Sequence, residues 1–201
     1  RYYAIGLTYA NGPLNLAAVV DQTNFSTTKW NGVDWGNPVD DALTVTVGGN
    51  YDFQVVKLYA GAQYFDNADL NSIDNIFSKD FALSPAQTER FQVKGYGLTI
   101  GADIPAAGGT FKVATSYLDG TIDKVNGWDM ATAIGATFGE IDISRWNTSA
   151  GYLYSLSKRT SLYGVASYSY QTVKGQKDFN GYSLDVAPTV IEVAAGIVHK
   201  F

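Results

Sequence analysis

The chain alternates. Over most of its length, apolar residues recur at every second position, the period of a β-strand rather than of a helix. Tyr3, Ile5, Leu7 and Tyr9 face Ala4, Gly6 and Thr8. Leu43, Val45, Val47, Gly49 and Tyr51 alternate with Thr44, Thr46, Gly48 and Asn50. Tyr96, Leu98, Ile100, Ala102 and Ile104 alternate with Gly97, Thr99, Gly101 and Asp103. The same reading predicts about nine strands of roughly 9–11 residues, the length of a tilted membrane crossing. Their apolar file contains no Asp, Glu, Lys or Arg. Short turns fall at 11–13, 52–53, 105–109 and 155–159, and long connections at 23–41, 65–91, 119–144 and 171–188, of which 119–144 is less regular. They alternate, so an up-and-down antiparallel meander would carry its short turns on one side and its long loops on the other.

A soluble β-sandwich also alternates. Its outward file, however, usually carries long charged side chains, whereas here the second file is Gly, Ala, Ser, Thr and Asn with scattered charges. Charged residues are only 16% of the chain and aromatic residues 14%. The aromatics gather at strand ends. Tyr3, Tyr64, Tyr96, Tyr117, Trp146 and Tyr170 lie next to long loops, and Tyr9, Tyr51, Phe111, Tyr154 and Phe201 next to short turns. Two aromatic girdles around an aliphatic band are what two lipid interfaces select. The expected fold class is therefore all-β, an antiparallel up-and-down transmembrane β-barrel. No apolar run approaches the ~20 residues of a membrane helix.

The composition narrows the chemistry. There is no cysteine and a single histidine, so zinc sites and thiolate nucleophiles lack material. No cofactor or metal is implied, and no enzymatic activity is expected. A net charge of -5 without a basic cluster argues against a nucleic-acid partner. Asp66, Asp69 and Asp74 form an acidic stretch, but without the spacing of a calcium loop.

Beyond the alternation, "YSLSKRTSLYGVASYSY" and the terminal "GIVHKF" closely resemble the C-terminal hairpin of trimeric porins of Gram-negative bacteria, nearest the neisserial and β-proteobacterial general porins. "YYAIGLTYANGPLNLAAVVDQ" and "YDFQVVKLYAGAQY" resemble mid-barrel hairpins of that family. The resemblance implies an outer-membrane channel of about sixteen strands, with these as the last nine. The whole chain, 1–201, would then be the C-terminal part of one barrel domain, completed by an N-terminal segment or companion polypeptide of roughly seven strands. It also implies homotrimers embedded among outer-membrane lipid and lipopolysaccharide. Passive diffusion of ions and small hydrophilic solutes is the implied function; a surface adhesin or receptor acting through the long loops is the alternative. Asp21, Lys57, Asp103, Lys112, Glu192 and Lys200 have the lumen-facing phase and are the pore-lining candidates, with simple rim or wall charges as the other reading. Val193, Ala195, Ile197, His199 and Phe201 resemble the family's terminal signal for the barrel assembly machinery. Phe201 also fits a girdle aromatic, and His199 an interfacial polar residue.

Overall fold

The computed structural model describes residues 1–25, 29–30, 33–34, 40–69, 91–125, 128–129, 140–175 and 185–200. Nine long strands carry the fold. They are β1 (Tyr2–Asn11), β2 (Leu14–Thr23), β5 (Ala42–Asp52), β6 (Lys57–Asp69), β7 (Phe91–Ala106), β8 (Gly109–Val125), β10 (Ile141–Ser155), β11 (Thr160–Gly175) and β13 (Thr189–His199). Four two-residue strands lie between them: β3 (Lys29–Trp30), β4 (Val33–Asp34), β9 (Trp128–Asp129) and β12 (Asp185–Val186). Among the described residues, each long strand pairs antiparallel with its sequence neighbours, from β1 through to β13 on β11. β1 and β13 are the two ends of the sheet and do not pair with each other. The sheet is open. Phe201 and Asp74 lie outside the described residues.

The short connections are hairpins. Ala106 faces Gly109 across a two-residue turn whose central residues, Ala107 and Gly108, both have positive φ, at 49° and 78°. That is the requirement of a type I′ turn, whose twist matches the flanking strands. An alanine there is disfavoured by its Cβ. The Tyr152 hydroxyl, reaching from β10, donates to the carbonyls of Ala106 and Ala107 at 2.9 Å each and helps to hold the turn. At 155–160, Ser157 Oγ accepts from the amides of Arg159 and Thr160.

Residues directly opposite in an antiparallel pair point to the same face. The register therefore sorts every side chain. One face carries Leu7, Ala18, Val47, Ala62, Leu98, Tyr117, Trp146 and Tyr170 in a single row across eight strands. The opposite face, one residue along, carries Thr8, Ala17, Gly48, Gly61, Thr99, Ser116, Asn147 and Ser169. On the apolar face, Leu7, Ile100 and Val193 are 75%, 60% and 77% exposed. Such a surface requires a non-aqueous neighbour.

The aromatic bands are present and slanted. Tyr3 lies opposite Gln22, Tyr64 and Tyr96 lie in the row of Ile5, and Tyr117, Trp146 and Tyr170 in the row of Leu7. A band that lies level in a membrane crosses the hydrogen-bonded rows in this way when the strands are tilted. Tyr96, Tyr117 and Trp146 form a chain of tilted ring contacts, 6.4 and 6.0 Å between centroids. The Tyr117 hydroxyl donates to Asp119 Oδ2 at 2.9 Å, so the ring has a wet end and an apolar end, as an interfacial tyrosine does.

Above that band the pattern reverses. β7, β8, β10 and β11 run to 16, 17, 15 and 16 residues, longer than the 9–11 expected and long enough to leave a bilayer behind. The former polar face now carries Phe65, Val93, Ile122, Ile143 and Val173, each at most 5% exposed. The former apolar face carries Asp66, Lys94, Asp119, Thr121, Asp142 and Lys174. Phe65, Ala68, Val93, Ile122 and Ile143 form one buried cluster. Phe65 packs over a glycine pair, Gly95 opposite Gly120. A Cβ on Gly95 would stand 2.1 Å from the Asp119 carbonyl. A bulge between Phe65 and Ala68 and another beside Val93 adjust the register there. Outside lipid, the outward file has to meet water and the inward file can form a core.

Candidate functional site

The pore-lining candidates occupy the polar face at different heights. Asp52, Lys57, Asp103, Lys112 and Gly151 fall in one hydrogen-bonded row beside the short turns. This row unites three candidates, with charge alternating along it. Lys112 Nζ lies 2.5 Å from Asp103 Oδ2, and the Tyr59 hydroxyl donates to the same oxygen at 3.0 Å. Lys57 Nζ stands 5.4 Å from the centre of the Tyr59 ring. Lys112 and Asp103 remain 48% and 22% exposed, so the pair adds little to stability, about 0–1 kcal/mol. Its consequence is a fixed charge pattern on the wall.

The other candidates stand apart. Glu192 is one row further from the short turns, opposite Ser167, whose hydroxyl donates to it at 3.3 Å. Asp21 lies near the long-loop end, between Ala4 and Thr44. Lys200 lies beyond the end of β13, its amide donating to the Arg159 carbonyl at the short-turn rim. On the last strand, Val193, Ala195 and Ile197 continue the exposed apolar face opposite Ala166, Gly164 and Leu162. His199 Nδ1 is 2.9 Å from Thr160 Oγ1.

The sequence reading did not single out three residues of this face. Tyr59 is an aromatic in a file that otherwise reads Lys57, Gly61 and Gln63 within the band, which was the signal. Arg145 has the phase of Asn147 and Ser149, and its Nη2 is 3.4 Å from Ser169 Oγ. Tyr163 and Val165 are large side chains that both lie on the polar face, Tyr163 opposite Leu153 and Gly196. Among the described residues, no group of His, Cys, Asp and Glu could hold a metal ion, and no helix is long and apolar enough to cross a membrane.

Comparison with known proteins now gives these faces a context. A family model described as Gram-negative porin matches residues 1–176. The chain is 30% identical over 202 aligned residues to a curated outer membrane porin protein of Bordetella pertussis. That alignment covers 100% of this chain and 46% of the relative, so the chain spans about half the relative's length. No solved structure matches it. The family and the relative agree with the exposed apolar face and girdles in locating the chain in the bacterial outer membrane, and the chain belongs to the Gram-negative porin family.

Proposed function

We propose that the complete protein forms a water-filled channel through which ions and small hydrophilic solutes diffuse passively. The supporting observation is the row Thr8, Ala17, Gly48, Gly61, Thr99 and Ser116. Among the described residues, this row carries no long side chain, which leaves room for water in front of it. Charges on the wall then bias which ions pass. In planar bilayers the complete protein is expected to produce stepwise conductance. A folded, inserted protein that stays electrically silent favours the adhesin reading instead. Asp103→Asn removes the carboxylate between Lys57 and Lys112. The reversal potential in a salt gradient is expected to move toward anion preference, and an unmoved potential removes this row from the ion path.

The open edges support completion by further strands. Unpaired backbone groups on β1 and β13 facing hydrocarbon would each cost several kcal/mol. We infer that roughly seven strands from outside this sequence close the barrel at about sixteen, that lipid covers the apolar face, and that the closed barrels assemble as homotrimers. Native mass spectrometry of the complex from outer membranes is expected to give three equal subunits, each well above 21.7 kDa. A conducting species of 21.7 kDa alone would sink this inference.

A further inference from the structure

Beside the charged row, the polar face holds a cavity of about 410 Å³. Tyr59, Asp103 and Lys112 border it on one side and Tyr163 on the other, with Gly101, Ala114, Ser149 and Gly151 between them. We propose that this cavity is a transit subsite for neutral hydroxylated six-membered rings, the monosaccharide class of solute. The proposal rests on the channel reading, since it places the site on a wall that solutes pass.

Both rings are held before any ligand arrives. The Tyr59 hydroxyl is anchored on Asp103. Tyr163 lies over Gly196 so closely that a Cβ there would come within 2.7 Å of its ring and hydroxyl. Fixed aromatic surface loses little freedom on binding. The base between the rings is low over Gly101, Ala114 and Gly151, with Leu153 and Val165 rising beside it on the Tyr163 side. A Cβ on Gly101 or Gly151 would stand 3.0 Å from the carbonyl of Val113 or Gly164 respectively. A flat ring can therefore lie close to the sheet, with its weakly positive C–H groups against the negative face of a tyrosine.

The polar groups select for charge. Asp103 and Lys112 already neutralise each other. An anionic ligand meets the carboxylate and a cationic one the ammonium, so neither gains from both. Spare capacity remains: Lys112 has further N–H donors, Asp103 further lone pairs, and Ser149 a hydroxyl. A neutral polyol, donor and acceptor at every oxygen, can use all three. The volume is within the usual range for small-molecule sites, and the mix of apolar walls with a few convergent polar groups is typical of them.

The test uses the complete protein, purified from outer membranes in detergent, with glucose as the probe and calorimetry or ligand-observed NMR as the readout. Weak saturable binding is expected, with a dissociation constant of about 1–10 mM for so small a ligand. Acyclic sorbitol and anionic gluconate are expected to bind more weakly. Tyr163→Ala is expected to weaken glucose binding roughly three- to tenfold, the worth of one aromatic contact. Ala114→Leu fills the base of the cavity and is expected to weaken it as well; it also serves if Tyr163→Ala does not fold. No saturable glucose binding, equal binding of sorbitol, or unchanged binding in a folded variant overturns the subsite. Conductance is recorded on the same preparations. Channels that conduct but do not bind glucose leave the channel reading standing and remove only this one; silent channels remove the channel reading itself.

Discussion

Ile100→Arg is expected to destabilise the folded protein by roughly 2–4 kcal/mol, the cost of a charge on the lipid face at mid-depth. Ile100 is 60% exposed on the apolar face and lies midway along β7 between Tyr96 of one aromatic band and Ile104 beside the short turn. No water is available there to solvate a guanidinium. Depth decides the size of the effect. Val45 faces Tyr64 across the β5–β6 pair, level with the girdle, so Val45→Arg is expected to cost only about 0–1 kcal/mol. Thr99→Arg places the same charge one residue along, on the polar face, and is expected to leave stability near the parent while altering conductance. Urea titrations of the refolded proteins, followed by the loss of strand signal, measure all three. Equal costs for Ile100→Arg and Thr99→Arg would overturn the assignment of the two faces.

Phe65→Ala is expected to cost about 3–5 kcal/mol, the usual range for emptying a buried aromatic position. Phe65 is 2% exposed at the centre of the cluster with Val93, Ile122 and Ile143. The glycines beneath its ring cannot fill the space it leaves. Phe53, at 51% exposure in the turn after β5, is a matched control expected to change stability little on truncation. If Phe65→Ala is as mild as Phe53→Ala in the same titration, the cluster is not a core.

The two faces were legible in the sequence because a single rule, apolar out and small or polar in, holds from girdle to girdle. Leu98 and Thr99 fall on opposite faces as their alternation requires. The extensions of β7, β8, β10 and β11 were not legible, because that rule reverses at the girdle. Asp119 and Ile122 belong to one strand, yet read with the lower rule each is on the wrong face, so the segment from 119 looked irregular. The bulges around Phe65 and Val93 blur the phase further. For the candidate site, phase put Lys57, Asp103 and Lys112 on one face. It could not bring them into one row, since that depends on the register across two strand pairs. The same missing register separated Asp21, Glu192 and Lys200 from them.

The reversal at the girdle also bears on how the strands find their partners. In most sheets a slip of one residue moves an apolar file from one environment to another, and one penalty opposes it. Here the same slip incurs two. Below Tyr96 it would turn Leu98 and Ile100 away from lipid. Above Tyr96 it would turn Val93 out of the buried cluster and Lys94 into it. Neither error can compensate the other, because both ends of the strand move together. A long strand with one uniform pattern could slide along its neighbour and lose only its ends. These strands carry a fixed mark partway along their length, and each hairpin is aligned from that mark outward in both directions.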